Sequence, residues 1–249
     1  IDSIGINELL RLIEEEWGVV EKREANIDIV NEPELRSIRV APITNVLDID
    51  NYLAWYKSNV YHQKQDDYYA IQLKITNGNI SSKVARKLAK LVNNFSSGEL
   101  RVSINQGLII KYVRKDSLPY VYEELKKLGF TKVGFDSVAD ITACPGTDTC
   151  NLGIANSTGL AEKLELFIEK NHAELVFNKD IKIKISGCFN ACGQHSIANI
   201  GFHGSTIRDE NKLVPAVQLL LGGGILGNGD GIISEKVIKL PTKRAIKAV

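Results

Sequence analysis

The chain has 249 residues, of which 44% are hydrophobic and 24% charged, with a formal net charge of +1. That length allows a sizeable core, in one large domain or two ordinary ones, and the composition is that of a globular protein. The charge balance offers nucleic acid or an anionic membrane no bulk attraction, no apolar run nears the length of a bilayer span, and IDSIGINELL lacks the basic and apolar regions of a signal peptide, so the expected location is the cytoplasm, with no nucleic-acid or membrane partner.

Residues 1–18 read as an amphipathic helix, with Leu9, Leu10, Leu12, Ile13 and Trp17 at helical spacing and Gly18 as a stop. A short extended piece near Ile27–Val30 follows, then Arg39–Pro42 and a short helix around Ile49–Trp55. The polar stretch His62–Asp67 reads as a linker closing an N-terminal segment, residues 1–66. Trp17 and Trp55 are expected to serve packing.

Residues 67–135 form the first clear unit. Tyr69–Ile75 alternates as a strand, Asn77-Gly78-Asn79 turns the chain, and Ser81 or Ser82 caps a helix with Val84, Leu88, Leu91 and Val92 on its apolar face. Leu100–Ile104 and Leu108–Val113 pair across the turn Asn105-Gln106-Gly107. Ser117 caps a second helix, with Pro119 in its first turn and Gly129 past its end, and Lys132–Phe135 is a last strand. The order β-α-β-β-α-β is the ferredoxin-like arrangement, which by itself implies no particular function.

Residues 136–249 read as a mixed α/β unit, making the fold class α+β. The expected strands are Ala139–Thr142, Ile181–Ile185, Ala198–Phe202, Val214–Leu221 and Val237–Leu240, with a helix from Ser157 or Thr158 to about Asn171. Gly222-Gly223-Gly224 and Gly227–Gly231 are flexible loops, and the basic tail looks helical.

All four cysteines lie in this last unit, as two pairs among glycines and small polar residues. Cys144 and Cys150 are separated by five residues, Cys188 and Cys192 by three. Four readings compete: small buried hydrophobes, a disulfide, a structural zinc site, and an iron–sulfur cluster. Clustering in two loops at strand ends argues against the first, and a cytoplasmic location against the second. A zinc knuckle has two to four residues between its cysteines, which suits only the second pair. A [4Fe–4S] cluster takes four loop-borne thiolates and N–H donors aimed at its sulfurs; Gly146, Gly187 and Gly193 admit close backbone, and Thr147, Thr149 and Asn190 offer donors.

The segments CPGTDTCNLGIANSTG and SGCFNACGQHSIANIGFHG resemble the C-terminal half of the sirohaem-containing nitrite and sulfite reductases. YYAIQLKITNGNI, ELRVSINQGLIIKYV and LPYVYEELKKLGF resemble its ferredoxin-like half-domain, and VPAVQLLLGGG and KVIKLPTKR its last strands; the resemblance covers roughly residues 60–245. It implies a [4Fe–4S] cluster held by Cys144, Cys150, Cys188 and Cys192, with Cys192 also ligating the sirohaem iron. It implies six-electron reduction of sulfite, the first expectation, or of nitrite, with electrons from ferredoxin or a flavoprotein. Asn151, Asn190, Gly193, Gln194 and His195 are expected cofactor contacts by their place in the motif, each weighed against an ordinary loop role. His203 has the same two readings, and the glycines at 222–224 are expected to pass close to the macrocycle.

The family's substrate-holding Arg and Lys come chiefly from a first, N-terminal half. No such cluster adjoins the cysteine loops here, and Lys182 and Lys184 read as a solvated strand face. The chain is therefore expected to be one part of a larger enzyme, inactive alone, with catalytic residues unassigned. Arg101, Asn105 and Gln106 are expected to be structural. The alternative from another class is a non-catalytic module that binds an iron–sulfur cluster or zinc, or carries electrons.

Overall fold

The computed structural model describes residues 4–19, 38–210, 212–226 and 229–249, so the extended piece expected at Ile27–Val30 lies outside it. Helix α1 (Ile6–Val19) falls in one compact unit and the chain from Ile38 onward in another. Gly18 does not stop α1, which runs one residue past it; none of its side chains is buried, and Trp17 is 71% exposed.

The larger unit begins with α2 (Ile49–Asn59), whose first turn is capped by the Asp48 carboxylate accepting from Asn51 N–H. Then come β1 (Val60–His62), β2 (Tyr68–Leu73), α3 (Ser82–Phe95), β3 (Leu100–Val102), β4 (Leu108–Arg114) and α4 (Leu118–Leu128). The Ser81 hydroxyl caps α3 by accepting Val84 N–H at 3.3 Å. Ser117 stands at the start of α4, but its hydroxyl accepts Ala41 N–H at 3.0 Å instead of capping the helix. Gly129 ends α4 at φ +80°, a conformation that glycine adopts without strain.

The four strands form an antiparallel sheet in the order β1-β2-β4-β3. Tyr69, Ile71 and Leu73 point to one face, continued by Ile75, and pack with Leu88, Leu91, Val92, Val121, Leu125 and the fully buried Trp55. The expected last strand, Lys132–Phe135, does not form. Its edge position beside β2 is taken by β1, paired Val60↔Ile71, Tyr61↔Ala70 and His62↔Tyr69. A short turn brings β1 back onto β2, so closing this pair costs less chain entropy than a return from residue 132. The polar stretch after His62 is thus a turn within the sheet. Residues 132–134 are instead held by side chains: Asn59 Nδ2 donates to Lys132 O at 3.0 Å, and Ser58 Oγ accepts Gly134 N–H.

The second sheet holds β5 (Thr142–Ala143), β6 (Ile183–Ser186), β7 (Ile200–Asp209), β8 (Lys212–Leu221) and β11 (Glu235–Pro241), in the order β11-β8-β7-β6-β5. Strands β9 (Gly224–Ile225) and β10 (Gly231–Ile232) pair separately. Pairs β5–β6 and β6–β7 are parallel, and the rest of the large sheet is antiparallel. Helix α5 (Ser157–Asn171) crosses from β5 to β6 and lays Leu160, Ala161, Leu164 and Ile168 against Ile183, Ile185 and Phe202. Its cap is Asn156, whose Oδ1 accepts Gly159 N–H at 2.8 Å, one residue before the expected Ser157. The basic tail is a 3-10 turn, Thr242–Ala248.

A buried ion network joins the two sheets. Lys74, just past β2, has a fully buried side chain whose ammonium lies 3.1 Å from Glu165 and 3.4 Å from Glu169 of α5, and it also donates to Ala139 O. Lys132 reaches Glu169 at 2.8 Å, and Glu165 accepts Ile141 N–H at 3.0 Å. These bonds, with the turn at Ser137–Asp140, occupy backbone that was expected to belong to a longer strand before Thr142.

Candidate functional site

Strands β5 and β6 run side by side; Cys144 follows β5 directly and Cys188 lies two residues past the end of β6. Ligand sites in open α/β sheets form beyond the carboxyl ends of such strands. Cys144 N–H donates to Ile185 O at 3.1 Å, continuing the ladder by one bond, and the first loop then turns through Pro145 and Gly146. Cys150 N–H donates to Gly146 O at 3.0 Å and Gly153 N–H to Cys150 O at 3.0 Å, so Cys150 is folded back over the loop's start.

The second loop packs onto the first backbone to backbone. Gly187 N–H donates to Cys144 Sγ at 3.0 Å. Gly187 O accepts from Ile154 N–H at 2.8 Å and Ala155 N–H at 3.0 Å. A Cβ on Gly187 would stand 2.4 Å from Gly146 Cα, and one on Gly204 would stand 2.0 Å from Gly187 O. Alanine at Gly187 therefore requires backbone to move. The expected cost is about 1–3 kcal/mol, read as a lower urea midpoint, together with faster loss of any metal held between the loops.

The donor set is four free thiols. Cys188 is buried, Cys144 half-buried, and Cys150 and Cys192 exposed. Among the described residues, no three His, Cys, Asp or Glu converge tightly enough to hold a single ion. A cubane cluster spreads its thiolates over the corners of a cube and does not need that convergence. One thiol already receives a backbone N–H across the loops, as a thiolate-ligated cluster requires. The chemistry of the donors and their glycine cradle fit a [4Fe–4S] cluster.

The remaining residues picked out from the sequence divide into two groups. Asn151 and Asn190, with Thr147 and Thr149, are exposed, as are the neighbouring Leu152 and Phe189, at 66% and 73%. Gly193, Gln194 and His195 lie behind the loop, against the sheet. Ser186 Oγ accepts Gly193 N–H at 3.0 Å and bonds His195 Nδ1 at 2.8 Å. Burial pushes the His195 pKa down to about 4, helped by His203 and Lys236, so the ring is neutral at ordinary pH. The rings of His195 and His203 lie 4.9 Å apart, and His203 is buried as well. The glycines at 222–224 approach Ile197–Asn199 rather than the thiols: a Cβ on Gly223 would meet Ala198 O at 2.5 Å. A cleft of about 620 Å³ there, lined by Lys182, Ile197, Asn199 and Ile225, opens at the opposite end of β6 from the cysteines.

One expectation needs correction. Lys182 and Lys184 do not form a solvated face. Lys182 pairs with Asp136 at 2.7 Å, and Lys184 is only 7% exposed. The hairpin turn of the ferredoxin-like unit covers this face of the sheet. Its Gln106 amide donates to Ala143 O at 2.7 Å and accepts Ala143 N–H at 3.0 Å, pairing with the free edge of β5 one residue before Cys144. Asn105 donates to Asp136 at 2.6 Å, whereas Arg101 is exposed.

Residues 61–128 match the family model of the nitrite/sulfite reductase ferredoxin-like half domain, and residues 134–249 that of the nitrite and sulphite reductase 4Fe-4S domain. Ferredoxin–nitrite reductase of Synechococcus elongatus is 25% identical over 90% of this chain and 41% of its own length. The chloroplastic ferredoxin–nitrite reductase of Betula pendula is 30% identical over 67% of this chain and 28% of its own. The sulfite reductase [NADPH] hemoprotein beta-component of Blochmanniella pennsylvanica is 32% identical over 65% and 28%. The chain thus spans less than half the length of these relatives. The solved structure of Mycobacterium tuberculosis NirA matches the fold with a TM-score of 0.64 at 24% identity, over 76% of this chain and 35% of that one.

Proposed function

The chain belongs to the nitrite and sulfite reductase family, and we propose that it is the cluster- and sirohaem-binding half of such an enzyme, serving the six-electron reduction of sulfite to sulfide or nitrite to ammonia. The observation that carries this reading is the Gly187 N–H bonded to Cys144 Sγ, which ties the two cysteine loops together at a thiol. Cys144, Cys150, Cys188 and Cys192 would hold the [4Fe–4S] cluster, and Cys192 would also ligate the sirohaem iron. When bound, the two groups would supply electrons one at a time to the anion.

The chain's own residues hold and orient. Asn151, Asn190, Leu152 and Phe189 offer exposed amides and apolar surface next to the cysteines in sequence, suited to the edge of a macrocycle. Gly193 and His195 fix the second loop from beneath through Ser186. The anion would be gripped by basic residues of the N-terminal half, and a ferredoxin or flavoprotein would supply electrons. Four free thiols and an oxygen-sensitive cluster suit a reducing, cytoplasmic setting.

Anaerobic reconstitution of the full chain tests the reading. The expected product carries about four iron and four sulfide per chain, with broad absorbance at the blue end of the visible range. A chain that takes up zinc and neither iron nor sulfide overturns it in favour of a structural module.

A further inference from the structure

Lys184 is a buried cation that makes no ion pair among the described residues. Its ammonium makes three hydrogen bonds, all to neutral acceptors: Gln194 Oε1 at 2.9 Å, Asn105 Oδ1 at 3.4 Å and Thr142 Oγ1 at 3.4 Å. Two carboxylates act on it from beyond ion-pair distance: Asp136 is already taken by Lys182 at 2.7 Å and by Asn105 at 2.6 Å, and Asp140 accepts Asp136 N–H at 2.8 Å. Burial pushes the Lys184 pKa down, as it does for any ammonium removed from water. A buried, unpaired charge is costly unless something compensates it.

Its position suggests what that is. Thr142 lies two residues before Cys144, and Gln194 two residues after Cys192. The ammonium therefore touches one residue next to each cysteine loop, where both meet the sheet. Opposite Lys184 on β7 stands Gly201, at which a Cβ would come within 2.1 Å of His195 O. The chain leaving the second cysteine loop, at Gln194 and His195, thus lies directly on the face that carries the lysine. A cluster with four thiolate ligands is anionic, and its reduction adds a further negative charge.

Resting on the assignment of the four cysteines as cluster ligands, we propose that Lys184 is the internal counter-cation of the cluster. It faces the base of both loops from within the sheet and offsets the charge that the cluster gains on reduction. Net charge and nearby hydrogen-bond donors are what tune such potentials.

The test compares the full-length wild-type chain with Lys184→Met, Lys184→Gln and Lys184→Arg, each reconstituted anaerobically without sirohaem, so that no macrocycle carboxylate is present. The readouts are iron and sulfide content, cluster potential from a redox titration, and melting temperature of the cluster-free chain. Both neutral variants are expected to shift the potential to more negative values, with Lys184→Arg close to wild type. Their cluster-free melting should match or exceed wild type, because an unpaired buried charge has been removed. A neutral variant that assembles the cluster at the wild-type potential overturns the proposal. If the neutral variants fail to assemble a cluster, wild-type melting without it supports the proposal, and early melting without it overturns it as a purely structural role. A wild-type chain that takes up no cluster overturns the cluster assignment itself, and this proposal with it.

Discussion

Serine in place of Cys188 is expected to leave a folded chain that assembles no stable [4Fe–4S] cluster. The thiol is only 7% exposed, and serine has nearly its shape. The cluster-free chain should lose about 1 kcal/mol or less, near the small end of core substitutions. The effect on the metal is of another order. A hydroxyl is a hard, weakly acidic ligand, whereas iron–sulfur clusters are held by soft thiolates. Iron and sulfide after anaerobic reconstitution should fall at least about tenfold, the range seen when a metal site loses support, while far-ultraviolet circular dichroism stays unchanged. Cys192 is exposed and is the residue proposed to serve both cofactors. Cys192→Ser should therefore remove the sirohaem spectrum whenever sirohaem is supplied with the complementary half. Wild-type iron and sulfide in Cys188→Ser, or an unchanged sirohaem spectrum in Cys192→Ser, would sink the corresponding assignment.

The helices and the cysteine loops were legible because their signals are local. Ser81 and Gly129 bracket their helices by hydrogen bonds a few residues away, and thiols crowded among glycines mark a site whatever surrounds them. What was not legible depends on contacts distant in sequence. The ferredoxin-like order was read correctly as far as α4, but which segment takes the edge beside β2 is decided by competition between β1 and residues 132–135. The alternation IKIKIS reads as a strand with one wet face. From Ile183 onward it is buried on both, because the Asn105–Gly107 turn and Gln194 cover Lys184. His195 reads from the sequence as a cofactor contact or as a loop histidine with local hydrogen bonds, and only the fold shows Ser186 beneath it. One signal was present and missed. Glu165 falls on the apolar stripe of α5, among Leu160, Ala161, Leu164 and Ile168, and a carboxylate there calls for a buried cation.

That cation is Lys74, and removing it is expected to produce the largest loss of stability of any single substitution outside the loops. Lys74→Met keeps the length of the side chain but leaves Glu165, itself 3% exposed, with only Lys132 at 3.5 Å. Taking one partner from a buried pair typically costs about 3–5 kcal/mol, since the remaining carboxylate keeps its desolvation penalty and loses its nearest compensation. The second substitution separates this cause from lost packing. Glu165→Leu in the Lys74→Met background removes the stranded charge and extends the apolar stripe of α5, so the double variant should recover a large part of the loss. Some cost must remain, because Glu165 also accepts Ile141 N–H, three residues before Cys144. Urea unfolding of the cluster-free wild type, both single variants and the double variant measures each quantity. Purely additive losses would show that Lys74 acts by filling space, and the ion network would then have no part in holding the two sheets together.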